Sequence, residues 1–183
     1  MTPETGIEYH GLLPLAWQDG QASPQQSADW MRENVTAFHA IAALEGPTHE
    51  RELDRTSGVD YTTARLEAKM DLMLQWVGKL LLAQHPLPPA TAVILGSKTL
   101  AWKCPIALQP GQFGVLSLYL APRMPMPLIF PVQIQLCEAG QAQALLLHIS
   151  EEAQDGLDRT LFRFHRRALQ ARSGKAHTFL NRE

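Results

Sequence analysis

Two arginines separated by three residues are the side chains of this sequence best suited to bind an anion. Arg51 and Arg55 form an R-x-x-x-R pattern. On a helix this spacing puts both guanidinium groups on one face, where they could bind phosphate oxygens in pairs. Glu50, Glu52 and Asp54 stand among them. These neighbouring acids favour the alternative interpretation, a solvated charged segment with local ion pairs.

A second basic group lies near the end of the chain. Residues 159–172 include five arginines and no acid. On the helix predicted there, Arg159, Arg163 and Arg166 line the face opposite the apolar residues. They could bind phosphates, or they could form a solvated helix face with some arginines paired to acids elsewhere.

The residues needed for catalysis or metal binding are not grouped. The seven histidines never form a close ligand pair with cysteine or carboxylate on one helix face, and no H-E-x-x-H pattern occurs. Nucleophile-elbow, phosphate-loop and dinucleotide patterns are also missing from the sequence. Between Thr91 and Ser150 the only acid is Glu138, so a pair of carboxylates for acid–base catalysis has no obvious place. We expect no enzyme activity, no metal and no cofactor.

The composition is that of a globular protein rather than a nucleic-acid or membrane protein. The chain has 183 residues, and its net charge of −2 gives no basis for binding nucleic acid. No apolar run approaches the ~18 residues of a membrane span, and the polar N-terminus does not resemble a secretory signal. Cys104 and Cys137 lie in separate apolar segments and are interpreted as buried thiols. We therefore expect a cytoplasmic protein without membrane insertion.

One long helix is predicted to organise the chain. From Asp60 to Gln84 the apolar residues follow a 4-3-4-3 spacing typical of a coiled coil. The a and d positions of this heptad pattern are Leu66, Met70, Met73, Val77 and Leu80. Leu74, Trp76 and Leu81 lie beside them and make the apolar stripe wider than a dimer seam. The pattern fits either a bundle of several helices or one helix lying on a core.

The remaining segments predict a fold of the α+β class. An extended piece over residues 6–17 and a helix from Ser27 precede the long helix. Five short β-rich runs follow, separated by turns such as Gly96-Ser97-Lys98, and indicate an antiparallel barrel or sandwich. Pro131 within the fourth run suggests an edge strand or a bulge. Ser150 is then expected to cap a last helix, Glu151 to about Arg172. The domains are predicted as follows. Residues 1–89 form an N-terminal strand with a helical extension and the oligomerisation helix, and residues 90–172 form the barrel with its C-terminal helix. Residues 173–183 form a flexible tail.

This order of segments resembles the PilZ family, and more narrowly its atypical, tetramer-forming branch. The resemblance rests on four stretches, taken in order: LPLAW at 13–17, ARLEAKMDLML at 64–74, TLAWKCP at 99–105 and FRFHRRALQAR at 162–172. It spans about residues 6 to 172. The resemblance implies a small PilZ-like antiparallel barrel with a C-terminal helix, and a tetramer formed by bundled heptad helices.

PilZ domains are receptors for the bacterial second messenger cyclic di-GMP, which the resemblance makes the possible ligand. Typical members bind it through R-x-x-x-R and [D/N]-x-S-x-x-G. The first pattern is matched here by Arg51 and Arg55, but Ile94, Gly96 and Thr99 stand at the motif positions of the second. The candidate ligand-binding residues are thus Arg51, Arg55, Gly96, Ser97 and Arg163.

Two functions remain open at this point. The first is an oligomeric receptor or effector of cyclic di-GMP. The second is a degenerate PilZ adaptor that does not bind the messenger and acts by binding a signalling protein, as yet unknown.

Overall fold

The computed structural model describes residues 6–44, 58–121 and 125–180. Within them lie six strands and three long helices. In chain order these are β1 Tyr9–Asp19, α1 Pro24–Leu44, α2 Gly58–Gln84, β2 Ala90–Leu95, β3 Thr99–Lys103, β4 Phe113–Leu118, β5 Leu128–Glu138, β6 Gln141–Leu146 and α3 Glu151–Leu180. The predicted α+β class, the hairpin at Gly96-Ser97-Lys98 and the long helix before the barrel are confirmed.

The six strands form a closed antiparallel barrel in the order β1-β2-β3-β6-β5-β4. Each strand turns alternate side chains inward, as the period of two requires. In β3, for example, Leu100 and Trp102 are buried while Lys103 is exposed. The sequence was compatible with either a barrel or a sandwich. The structure shows a closed barrel, in which none of these six strands has an unpaired edge.

The strand that closes the barrel comes from the N-terminus. The first half of β1 pairs with β2, from Tyr9↔Leu95 to Pro14↔Ala90, and its second half pairs with β4, from Leu15↔Leu118 to Asp19↔Gly114. The sequence analysis assigned this segment to the N-terminal extension, whereas the structure places it within the barrel. An eleven-residue strand is long enough to bridge both neighbours, and the buried Leu13 and Leu15 add to the core.

Pro131 lies in the middle of β5, neither on an edge strand nor at the bulge. The register shift in β5 falls later, between Ile134 and Leu136. The Pro131 carbonyl oxygen accepts a hydrogen bond from the Leu147 N–H (2.8 Å). The Pro131 nitrogen, which has no hydrogen to donate, faces the same side of the strand, just beyond the end of β6 at Leu146. A proline therefore fits here without breaking a ladder hydrogen bond.

Helices α1 and α3 pack against each other, and α1 also covers β5. Phe38 of α1 lies directly over Gly156 of α3, where a Cβ atom would come within 2.8 Å of the phenyl ring. Met31, Phe38 and Ile41 on one face of α1 are buried. The two helices and the barrel thus share one core.

Helix α3 begins as predicted but ends later. The Ala153 N–H donates to the Ser150 hydroxyl (3.3 Å), which is the expected N-terminal cap. The helix runs to Leu180, past the end predicted near Arg172. Residues 173–180 include only one glycine and no proline, so nothing in this stretch forces a helix to stop.

Helix α2 stands apart from the rest of the fold. Its 27 residues give a length of ~40 Å. No other helix or strand within the described ranges packs along it. Among these ranges, no helix combines the length and the apolar character that a membrane span requires.

Candidate functional site

The turn between β2 and β3 holds two of the predicted ligand residues, Gly96 and Ser97. The Gly96 N–H donates to the Thr99 carbonyl oxygen (2.9 Å) and closes the hairpin. Gly96 is buried, and a Cβ atom there would lie 3.2 Å from the Thr99 hydroxyl. A side chain at position 96 would therefore require the Thr99 hydroxyl to shift, whether or not a ligand approaches the turn.

Helix α3 binds the same turn from the other side. The Ser97 hydroxyl donates to the Asp158 carboxylate, and the Gln154 amide donates both to the Ser97 carbonyl (2.9 Å) and to Asp158 (3.1 Å). We call Ser97, Gln154 and Asp158 the turn clasp. In the clasp, both the hydroxyl and the carbonyl of Ser97 are already hydrogen-bonded. The Asp158 carboxylate also puts a negative charge directly beside the Ser97 hydroxyl.

A shallow hollow covers the outer face of β1 and β2 next to Ile94. Its volume is about 670 Å³, within the usual range for small-molecule sites. Leu12 is 69% exposed there, and Ile94 and Ala92 also line it. The basic side chains at its rim include Lys103 and His10, and the His10 ring lies 3.3 Å from the Glu8 carboxylate. An apolar floor with a carboxylate beside its rim offers little to hold two phosphates.

Arg163 does not lie at the turn. It follows Asp158 by five positions, which turns it about 140° around α3. One of its terminal nitrogens donates to the Thr160 hydroxyl (3.0 Å), and its Nε atom is buried with no hydrogen-bond partner among the described residues. The structure thus brings Gly96 and Ser97 together but leaves Arg163 on a different face of α3. Arg51 and Arg55 lie outside the described residues.

The predicted interface residues form an exposed apolar surface on α2. We call it the α2 stripe, and its members are Leu66, Met70, Met73, Val77 and Leu80. Each of these side chains is between 52% and 68% exposed. Leu74, Trp76 and Leu81 beside the stripe are exposed as well. A contiguous apolar surface of this kind is unusual on a monomer and marks an interaction site.

The turn clasp was missed by the sequence analysis. Gln154 and Asp158 are an i, i+4 pair on the first turns of α3, a spacing that looks like an ordinary solvated helix face. Only the packing of α3 beside the β2–β3 hairpin, 57 or more residues away in sequence, gives the pair its role. No local signal in the sequence could have identified it.

Tyr9 at the start of β1 has a perturbed titration. Its ring packs against Phe164 with centroids 5.0 Å apart. Partial burial raises the pKa of the Tyr9 phenol above its ordinary value of 10.0, because the phenolate would lose hydration there. Over the described ranges, no cluster of three or more histidine, cysteine or carboxylate side chains is placed to hold a metal ion.

Comparison with known proteins gives two similarities. The sequence model of a family described as "Atypical PilZ domain, cyclic di-GMP receptor" matches residues 38–173. A solved structure of a protein from Xanthomonas campestris, described as a tetrameric PilZ domain self-assembled through an unusual helical bundle, is similar in fold. Its TM-score is 0.70, with 21% sequence identity over 92% of this chain and 90% of that chain. No curated protein matches the sequence.

Proposed function

The chain belongs to the atypical PilZ family of cyclic di-GMP receptor domains, and we propose that it works as a homo-oligomer, a tetramer, in cyclic di-GMP signalling. PilZ domains are receptors or adaptors and not a catalytic family. The observation that carries the proposal is the α2 stripe, an exposed apolar seam on a helix that packs against nothing else described. The similar Xanthomonas protein is a tetramer built through a helical bundle. We place this activity in the cytoplasm.

The width of the exposed surface favours more than two copies. Completing the burial of the five stripe residues would contribute roughly 5–9 kcal/mol per chain, at about 1.5–3 kcal/mol for each fully buried side chain. A dimer buries the stripes of two chains, about 10–18 kcal/mol. Association costs about 4–15 kcal/mol in lost freedom of motion, so the stripe is large enough to favour self-association. A bundle of four helices also buries Leu74, Trp76 and Leu81, because flanking positions become part of a wider core.

A second candidate function is an adaptor that does not bind cyclic di-GMP. The turn clasp favours it. A ligand at Ser97 would have to break the hydrogen bonds to Asp158 and Gln154 and place its phosphate beside a carboxylate. Such a protein would act within the oligomer through a signalling partner.

The self-assembly is tested with a charge placed in the stripe. Met73→Glu should convert the oligomer to monomers, because the carboxylate would be desolvated without a partner. Gln75→Glu is the matched control, since Gln75 is exposed and lies on the side of α2 facing away from the stripe. Light scattering measures the mass of both variants. An unchanged mass for Met73→Glu would refute the proposal, provided circular dichroism shows that both variants remain folded.

The messenger is tested by isothermal titration with cyclic di-GMP at low and at physiological salt. Saturable binding supports the receptor, and Arg51→Ala, Arg55→Ala and Arg163→Ala then identify the arginines involved. No heat at high protein concentration supports the adaptor. The variant Asp158→Asn removes the clasp charge with little change in shape. If the carboxylate is what repels the phosphate, this variant should bind more tightly than the wild type.

A further inference from the structure

The middle of α3 changes from a packed helix to an exposed one. The helix packs against α1 and β1, and Phe164 is still half-buried, with its ring against Tyr9. Every side chain from His165 to Gln170 is then exposed, on all sides of the helix. This part of α3 is therefore open to a partner.

Two large apolar side chains lie on one side of α3 here. Phe162 is 55% exposed and Leu169 is 50% exposed. They are seven positions apart, so they lie on the same side of the helix, ~10 Å from each other. His165 and Arg166 occupy the turn between them, and both are exposed. We call Phe162, His165, Arg166 and Leu169 the α3 face.

The charge around the α3 face is positive. Among the residues that the structure describes, Arg166 has no ion-pair partner. Arg159 lies one turn before the face and pairs with Asp155 (2.7 Å). From Arg159 to Arg172 the sequence has five arginines and no acid. A helix that only faced water would not need large apolar side chains among these arginines.

We propose that the α3 face binds an acidic amphipathic helix of a partner protein. Apolar residues of that helix would pack against Phe162 and Leu169, as helices do along a heptad seam. Carboxylates beside those residues would accept hydrogen bonds from Arg166. The proposal goes beyond self-assembly through α2 and messenger binding, and it depends on neither.

The charges favour a protein partner over a second copy or a membrane. Two copies paired through the α3 face would bring one arginine-rich segment against another, and like charges repel. An anionic membrane along α3 would meet Asp155 and Asp158, which are exposed on the same side of the helix before Phe162. Helices that lie on membranes also present a broad apolar face, rather than two side chains.

A pair of synthetic peptides tests the surface. The acidic probe is a helical peptide with leucines in heptad spacing and glutamates beside them, and the neutral probe has glutamine at each glutamate position. Fluorescence anisotropy measures the binding of each probe to the full-length protein. We expect saturable, salt-sensitive binding of the acidic probe and at least about tenfold weaker binding of the neutral one. No binding of the acidic probe at about 1 mM protein would overturn the proposal.

Three variants of the full-length chain locate the binding. Arg166→Glu and Phe162→Ala should each weaken the acidic probe by about tenfold or more. Lys103→Glu is the control, because it makes the same change of charge at an exposed position on the barrel, and it should bind like the wild type. Equal affinity of the wild type and Arg166→Glu would place the probe on another surface, such as the α2 stripe, and would overturn the proposal.

Two further measurements distinguish the other occupants. Light scattering should give Arg166→Glu the same mass as the wild type, and a lower mass would make the α3 face a contact between copies. Phosphatidylglycerol vesicles should not bind the wild type more tightly than Phe162→Ala, and tighter binding would make the face a membrane site. Either contrary result would overturn the proposal. A failure of self-assembly is distinguishable from these, because the wild type would then be a monomer that still binds the acidic probe.

Discussion

The docking of α1 on the barrel depends on one buried amide, and its removal gives a sharp test of the fold. Asn34 is 0% exposed. Its amide nitrogen donates to the Ile129 carbonyl oxygen and its oxygen accepts from the Ile129 N–H, both at 2.8 Å. The side chain thus pairs with the start of β5 as a neighbouring strand would.

The perturbation is Asn34→Leu, which keeps the branched shape of the side chain but removes both hydrogen bonds. The N–H and C=O of Ile129 would lose their partners, at about 1–3 kcal/mol for each buried group. Ile129 is only half-buried, so water can reach it in part. For the two groups together we therefore expect a loss of about 2–4 kcal/mol in the free energy of unfolding, the lower part of the summed range.

Urea unfolding followed by circular dichroism measures the loss, with Thr36→Ala as the matched control. Thr36 lies on the exposed side of the same helix, and its hydroxyl donates to the Arg32 carbonyl oxygen one turn earlier. Its replacement should change stability by no more than about 0.5 kcal/mol. A loss below about 1 kcal/mol for Asn34→Leu, with an unchanged denaturant slope, would refute the role given to this amide.

Two further predictions concern the contacts that hold α3. Gly156→Ala should destabilise the protein by about 1–2 kcal/mol, because overpacking against Phe38 costs about 1–3 kcal/mol and outweighs the ~1 kcal/mol gain in helix propensity. In a Phe38→Ala background the same change should be neutral or stabilising. Equal losses of stability in both backgrounds would contradict the contact between Phe38 and Gly156. Tyr9 should make stability fall as the pH rises above 10.0, since its pKa is raised in the folded state by burial and the unfolded chain ionises first. Thermal unfolding across that pH range should show a shallower decline for Tyr9→Phe, and an identical decline would exclude the effect.

The features that could be predicted from the sequence are those with local signals. Short β-rich runs separated by turns predicted β2 to β6, and Gly96-Ser97-Lys98 predicted their first hairpin. The heptad spacing marked α2, which the structure has as Gly58–Gln84. The family resemblance, read from the order of these segments, is confirmed by the match over residues 38–173.

The features that could not be predicted depend on contacts distant in sequence. The residues around Tyr9 do not indicate that their strand closes a barrel whose other strands begin at Ala90. Asp158 and Gln154 look like solvent-facing residues until the hairpin is placed against them. Likewise, the position of Arg163 in the sequence does not indicate which face of α3 contacts the turn. In the structure Arg163 lies on a different face, away from Ser97. The role of the α2 stripe as an interface stays a prediction.

The mass of the wild-type protein in solution tests the central claim most directly. Sedimentation equilibrium over a wide range of concentrations would measure it without immobilising the chain. The account predicts a mass four times that of the 20.4 kDa chain, maintained on dilution to low micromolar concentration. A folded protein that sediments as a single chain throughout that range would contradict it.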